Sequence, residues 1–398
     1  MPAGLLSGYR VLDLGSGISA PWCTKILADY GAEVIKVETP GLGDATRRMG
    51  PFAGDEPDPE KSLTFLYLNT NKKSVTVDPT SVSGRKLFYR MVADADVLVE
   101  NYSPAQSQNL GLDYSSLSKV NPGLVVTSIA PFGHTGPYRD YQVTDIVTYA
   151  LSGLMYHSGD SDQPPLRSVL DQSFYVAGAN GAAATQIALF ARLSTGEGQH
   201  VDVSVAECLG AHLVQPLPYY NYMGAIKGRR PVRGSGFEEL MPARDGYVAP
   251  SVQGSRPWEV IANLIGLKEL QDEKFATGAG RVAHGEELKE LLTVGLARWD
   301  RMPLFLASGE ARLVFGMAQD AGDLVECPHL EDREFFVEVD HSVVGRAKYP
   351  GMAVRLPGEA LTATQPAPLL GQHNVEIFVQ ELGYTLEQLV SLRQLGVI

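Results

Sequence analysis

Tyr9 to Leu14 (YRVLDL) is a short apolar, β-branched run bounded by Gly8 and Gly15, and a second such run, Ala32 to Glu38 (AEVIKVE), follows a helical stretch. The spacing predicts a helix over 21–31, with Pro21 in its first turn, where a missing N–H costs nothing, and Gly31 at its end. The pattern then recurs. KSVTVD (73–78) reads as a strand, 80–93 as a helix, ADVLVEN (95–101) as a strand and GLVVTSIA (123–130) as another. Parallel strands cannot be joined by tight hairpins and need a crossover, usually a helix. Strands alternating with helices therefore imply an α/β chain with helices on both faces of a parallel sheet. The expectation is an open, Rossmann-like sheet.

The chain has 398 residues, more than one ordinary core holds. Residues 172–193 form a long helix whose interior carries Gly178 and Gly181. Each costs about 1 kcal/mol relative to Ala, so they imply close packing against another backbone. HVDVSV (200–205) alternates polar and apolar residues, as a half-buried strand does. Texture changes after 215, where Pro216, Pro218, Pro231, Pro242, Pro250 and Pro257 punctuate the chain. This is the expected crossover into a second domain, with helical patterns at 257–270, 285–298 and 301–308. Strand-like residues return at 335–355, and helices at 374–382 and 385–394 close the chain.

Charge and composition exclude several classes. Asp and Glu outnumber Lys and Arg, 46 to 33, for a net charge of −13. A strongly acidic protein is a poor nucleic-acid ligand, because phosphate contacts need clustered positive charge. No apolar run reaches the length of a membrane span, about 20 residues, and the opening residues lack the pattern of a signal peptide. Three scattered cysteines, Cys23, Cys208 and Cys327, give neither a disulfide framework nor a metal pair. The histidines show no HxxxH spacing, so no metal site is expected. Together these features point to a cytoplasmic protein.

Several segments could carry chemistry. VLDLGSG (11–17) resembles the first strand and loop of S-adenosylmethionine methyltransferases, with Glu38 placed to accept a ribose hydroxyl. The loop lacks a third glycine and continues Ile18-Ser19-Ala20-Pro21, so its glycines are better explained as turning the chain. NTNKKS (69–74) and NYSP (101–104) flank strands and could hold a phosphate and a heterocycle, or serve as polar turns. Asp171 stands just ahead of the long helix. As an N-cap it would contribute about 1 kcal/mol. The positive helix end also favours an ionised carboxylate, which can attack an activated acyl group. His134 and His157 lie in loops where either could act as a base.

In order along the chain, GYRVLDLGSGISAPWCTKILADYGAEVIKVETPGLGDATR (8–47), LNTNKKSVTVD (68–78), DADVLVENYSP (94–104) and VLDQSFYVAGANGAAATQIALFARLSTGEGQHVDVSVAE (169–207) resemble the class III CoA-transferases, the formyl-CoA and carnitine CoA-transferase type also called CaiB/BaiF. ECPHLEDREFF (326–336) and the last segment, 367–398, fit the same pattern. The resemblance implies a large CoA-binding domain begun by residues 1–210 and completed by 335–398. It also implies a smaller α+β domain over 225–330 and two subunits interlocked as a homodimer. Asp171 becomes the catalytic residue. Gly17, Ile18, Ser19, Thr39, Arg47, Leu68, Lys72, Asn101, Tyr102 and Leu110 fall at positions that meet CoA. Phe132, with Gly234, Ser235 and Gly236, falls where the family has substrate-covering loops. Asn109, Leu110 and Ala130 depart from a relative's Arg, Met and Lys, so phosphate charge would come from Arg47, Arg48 or Lys72.

The implied activity is CoA transfer from an acyl-CoA to a carboxylic acid through aspartyl anhydride and aspartyl-CoA thioester intermediates. CoA would serve as substrate and product, with no metal or redox cofactor. The family also holds 2-methylacyl-CoA racemases, whose Gly-His-Asp base is replaced here by Val143-Thr144-Asp145. Threonine is no base near neutral pH, which favours a transferase over a racemase. The alternatives of another class are a methyltransferase and a non-catalytic CoA-binding protein.

Overall fold

The computed structural model describes residues 4–229, 240–251, 257–356 and 364–398, so Gly234, Ser235 and Gly236 lie outside the described residues. The chain divides into two compact units. One comprises Met1–Met155, Arg167–Ile226 and Glu334–Ile398, and the other Tyr156–Leu166 and Lys227–Arg333.

The first unit is built on six strands: β1 (Arg10–Asp13), β2 (Glu33–Glu38), β3 (Lys72–Thr76), β4 (Val97–Glu100), β5 (Val125–Ala130) and β6 (His200–Ser204). They lie in the order β3-β2-β1-β4-β5-β6, and every neighbouring pair is parallel. This is the parallel sheet the alternation implies. Strand order reverses between β1 and β4, and ligands of open α/β sheets bind outside the carboxyl ends at such a reversal.

The helices of this unit up to residue 223 are α1 (Ser19–Asp29), α2 (Leu63–Leu68), α3 (Val82–Ala93), α4 (Pro104–Leu110), α5 (Tyr114–Leu117), α6 (Asp145–Leu151), α7 (Gln172–Thr195), α8 (Val205–Gly210) and α9 (Pro216–Met223). Strand side chains alternate between faces, and the two faces have separate cores. Leu12, Ile35, Leu98 and Val126 pack with Leu87, Phe88 and Met91 of α3 and with Ile377 and Phe378 from the far end of the chain. Val11, Val34, Val99 and Ile129 pack with Cys23 and Leu27 of α1 and with Ala177 and Ala182 of α7.

Helix α1 begins two residues earlier than the pattern predicts, and Pro21 remains in its first turn. The small residues of α7 have a local cause. A Cβ on Gly178 would stand 2.5 Å from the Ser19 carbonyl oxygen and 2.9 Å from Cδ1 of Trp22. Glycine there lets α7 lie directly on the α1 backbone.

The second unit carries a three-stranded sheet of β7 (Met241–Ala243), β8 (Gly246–Ser251) and β9 (Val314–Met317). Val248 and Phe315 pack there with Ile261, Leu288, Leu292 and Leu304 from its helices. Back in the first unit, β10 (Phe336–His341) and β11 (Gly345–Pro350) form an antiparallel hairpin. Among the described residues, no helix is long and apolar enough to cross a membrane.

Candidate active site

The loops leaving β1 and β4 meet at the strand-order reversal. Asn101 binds Ser16 twice: its Oδ1 accepts from the Ser16 amide at 2.9 Å, and its Nδ2 donates to the Ser16 carbonyl at 2.7 Å. The Asn101 Nδ2 also reaches Ser19 Oγ at 3.3 Å. Asp44, from the segment after β2, accepts the Gly17 amide at 3.2 Å, and Ser16 Oγ accepts the Ala45 amide at 3.0 Å. Gly17 has a φ of +82°, with no atom within 4 Å of where a Cβ would sit. The backbone of this loop therefore faces open space, held from three strand ends at once.

Under these loops lies a buried charge network. Asp13 Oδ2 accepts from Lys72 Nζ at 2.9 Å and from Thr24 Oγ1 at 2.8 Å, and Lys36 Nζ pairs with Asp44 Oδ2 at 2.7 Å. Burial alone would raise the Asp13 carboxyl, but the charges of Lys36 and Lys72 outweigh it and hold it below its usual range. Burial pushes the Lys72 ammonium down to about 8 despite Asp13. Arg47 has no exposed surface. It grips Glu38 through Nε at 2.7 Å and Nη2 at 2.9 Å, and Glu60 through Nη1 at 2.6 Å. The donors of Arg47 and Lys72 are thus committed inward. Of the three cations put forward for phosphate, Arg48 is the exposed one, with Nη1 on the Leu42 carbonyl.

The remaining positions divide by access. Thr39 is exposed, and its carbonyl accepts the Gly43 amide at 2.8 Å. Leu68 is fully buried and presents no side-chain surface to a ligand. Tyr102 and Leu110 are half-buried against the core beside α3. Phe132 is half-buried, edge-on to Tyr138 with ring centroids 5.8 Å apart.

Asp171 is at the amino end of α7, which runs against the strands and so begins at their carboxyl ends. Its backbone is left-handed, with φ 53° and ψ 38°, and it follows Leu170, also left-handed at φ 56°. Left-handed backbone is uncommon outside glycine and clusters at functional sites. Asp171 makes no capping hydrogen bond. Asp145, the first residue of α6, caps α7 instead: its Oδ1 accepts the Ser173 amide at 3.1 Å. The half-exposed Arg167 guanidinium lies 3.6 Å from Asp145 Oδ2. Tyr175, one turn into α7, stands edge-on to Trp22 of α1, with ring centroids 5.4 Å apart. Burial and the neighbouring Asp171 charge both push its phenol up. The carboxylate of Asp171 is therefore half-buried, uncommitted to the cap, and set where the helix dipole favours negative charge.

His134 does not turn toward Asp171's helix. Its ring lies against Glu100 and His200. His157 belongs to the second unit, edge-on to Tyr156. Thr144 is the N-cap residue of α6. The sequence reading missed Glu100, though a glutamate within the apolar run ADVLVEN was a visible irregularity. It also missed the capping role of Asp145.

The model of CoA-transferase family III matches residues 6–374. The succinate–glutarate CoA-transferase of Agrobacterium fabrum is 31% identical over 387 residues, 94% of this chain and 95% of that protein. The succinyl-CoA–D-citramalate CoA-transferase of Chloroflexus aurantiacus is 32% identical, over 100% of this chain and 99% of its own. Among solved structures, a CAIB/BAIF family protein from Brucella suis superposes with a TM-score of 0.86 at 29% identity, covering 95% of this chain and 99% of that one.

Proposed function

We propose, proceeding from the fact that this chain belongs to CoA-transferase family III, that Asp171 is the nucleophile of the CoA transfer this enzyme performs. The observation that carries the reading is the division of labour at α7. Asp145 does the capping, and Asp171 keeps a left-handed backbone while its side chain makes no capping bond. A carboxylate held that way is available to react.

A carboxylate oxygen of Asp171 attacks the thioester carbonyl. The C–S bond breaks, CoA leaves as thiolate, and a mixed anhydride remains on Asp171. The thiolate then attacks the aspartyl carbonyl, expelling the donor acid as its carboxylate and leaving an aspartyl-CoA thioester. The acceptor carboxylate attacks that thioester, thiolate leaves again, and its return to the acceptor acyl group yields the new acyl-CoA and free Asp171. The activation arrives with the thioester, and the reading needs no metal or redox cofactor. The amino end of α7 stabilises the negative charge that develops.

CoA lies across the carboxyl ends of β1 and β4. Gly17, Ile18, Ser19, Thr39, Asn101 and Tyr102 line its path, and Arg48 supplies positive charge. Arg47, Lys72 and Leu68 act from beneath, holding the loops. Phe132 faces the acyl group, with Leu110 behind Tyr102. The names of the relatives support succinyl-CoA as donor and a dicarboxylic acid as acceptor. Thr144, in place of a base, favours transfer over epimerisation.

The working form is a homodimer. Ile187, Phe190 and Leu193 on α7 are 71–74% exposed, and Tyr222 and Met223 of α9 are 87% and 66% exposed. So much apolar surface on one chain marks an interface.

The test is to incubate the protein with succinyl-CoA without acceptor, then treat it with borohydride and map the peptides. Reduction confined to the peptide bearing Asp171 supports the reading. A modified residue elsewhere, or none, refutes it.

A further inference from the structure

One face of β4, β5 and β6 carries titratable groups that the transfer chemistry does not use. Glu100 of β4 stands opposite Ser128 of β5, and Ser128 opposite Asp202 of β6, so the three share one face of the sheet. His200, on the same face, has Nε2 2.9 Å from Ser128 Oγ. His134 comes from the loop after β5, and its amide donates to Asp202 Oδ1 at 2.9 Å and Oδ2 at 3.1 Å. Its ring stands edge-on to His200, centroids 5.3 Å apart, while Tyr114 of α5 stacks on His200 at 6.0 Å.

Glu100 has no exposed surface, and its Oε2 accepts the Tyr102 amide at 2.5 Å. Its Oε1 and the Nε2 of His134 lie 3.7 Å apart. Both atoms are buried and neither has a hydrogen-bond partner among the described residues. Two facing polar atoms left unpaired would be costly. With one extra proton the couple is neutral, and a small approach across the 3.7 Å gap satisfies each atom, as O–H donating to Nε2 or as carboxylate accepting from imidazolium. Losing that proton leaves a buried net charge, which burial opposes. The environment pushes the same way. Burial raises the Glu100 carboxyl to about 7 against the Ser128 hydroxyl and the Tyr102 amide, with Asp202 adding to the rise. Burial lowers the His134 imidazole, Asp202 notwithstanding.

The couple also joins two loops. Glu100 leads directly into Asn101 and Tyr102, and Asn101 holds Ser16 of the loop after β1. His134 is two residues beyond Phe132. We propose that Glu100 and His134 are a proton-sharing positioning pair that fastens the loop after β4 to the loop after β5, so that CoA binds most tightly while the pair holds its proton. This rests on the reading that CoA lies over β1 and β4.

The test is calorimetric titration of CoA from about pH 6 to about pH 9 on the wild-type chain, Glu100→Gln, His134→Gln and the double variant. CoA's own ionisations are common to all four, so ratios to the wild type isolate the pair. The wild-type Kd should rise about fivefold or more relative to Glu100→Gln across that range, and the double variant should match the single ones. Parallel profiles for wild type and Glu100→Gln would overturn the proposal. Wild-type protein that binds no CoA at any pH would instead sink the nucleotide reading beneath it. An ¹⁵N titration of the wild-type histidines is independent of ligand and variants. His134 titrating as a free imidazole would equally refute the pair.

Discussion

Asp145 Oδ1 accepts the Ser173 amide at 3.1 Å, so the amino end of α7 is capped by a residue from α6 and not by Asp171, which holds the N-cap position. An N-cap aspartate normally has its carboxylate turned back on its own helix. Here the α6 residue does that work, and the Asp171 carboxylate makes no capping bond to its own helix.

Asp145→Ala should therefore cost about 1 kcal/mol of stability in urea denaturation and loosen the first turn of α7. Turnover should fall about tenfold or more while the Kd for CoA stays put. Asp145→Asn, which keeps an acceptor oxygen, should recover the stability. Unchanged stability and turnover in Asp145→Ala would show that the α6 cap is idle.

Gly178→Ala sets helix propensity against packing. Ala is favoured in a helix interior by about 1 kcal/mol, but overpacking costs about 1–3 kcal/mol. The obstruction is a backbone oxygen, that of Ser19, at 2.5 Å. It cannot retreat without moving the Ser16–Ser19 loop. The expected result is net destabilisation together with weaker CoA binding. Gly181→Ala, whose nearest neighbour is the flexible end of Ile129 at 2.9 Å, should be milder. If Gly178→Ala is the more stable of the two and binds CoA normally, α7 does not support the loop.

Much of this was legible in the sequence, and the remainder has identifiable causes. The strands β1, β2, β4 and β5 announce themselves because each is a short, largely apolar run with a turn residue beside it. The second unit's sheet was not read, because Pro242 and Pro250 interrupt β7 and β8 where a strand pattern needs continuity. Pro250 is tolerated past the stretch of β8 that pairs with β7, where only β9 lies alongside. The place of Asp171 at the head of α7 was legible, whereas its left-handed backbone was not, since propensity favours glycine or asparagine there. Arg47 and Lys72 read as cations for a phosphate because nothing in the sequence ties them to their acidic partners, Glu38, Glu60 and Asp13. Only the fold makes them neighbours.

Arg167 is 49% exposed and sits 3.6 Å from the carboxylate that caps α7. If the acceptor is a dicarboxylic acid, this guanidinium is placed to meet its far carboxylate. Arg167→Gln should raise the KM for succinate or glutarate about tenfold, with kcat little changed and the KM for a monocarboxylic acceptor unaffected. An equal loss for both acceptors would mean that Arg167 serves Asp145 alone.

The buried Glu100 makes stability depend on pH with a definite sign. Its folded carboxyl is raised from 4.5 to about 7, so the folded state binds more protons than the unfolded state between those values. The contribution is present in full below 4.5 and is lost as the pH rises through about 7. His134, lowered from 6.5, opposes this just below its ordinary value, where stability rises with pH. Glu100→Gln removes the first contribution, so its unfolding free energy should fall less than the wild type's from pH 4.5 to about 7. Curves of equal slope would place Glu100's ionisation outside the folding equilibrium.

On the proposal that Asp171 is the nucleophile, Asp171→Asn separates chemistry from architecture cleanly. Asp171 makes no capping hydrogen bond, so none is lost. Its φ of 53° lies in the left-handed region, which asparagine tolerates best among residues with a side chain. Asp171→Asn should therefore unfold at the wild-type urea concentration or slightly above it. Asp171→Ala, with no short polar side chain to ease that backbone, should cost about 1 kcal/mol. Both should bind CoA as the wild type does, because the loops proposed to hold it are fastened by Ser16, Asp44 and Asn101. Both should also lose turnover by roughly three orders of magnitude or more, since an amide cannot form the anhydride. Initial rates on freshly purified protein, read beside the urea curves and CoA titrations, give all three quantities. A stable, CoA-binding Asp171→Asn that still transfers CoA at near wild-type rate would leave Asp171 as a strained turn residue and move the nucleophile elsewhere.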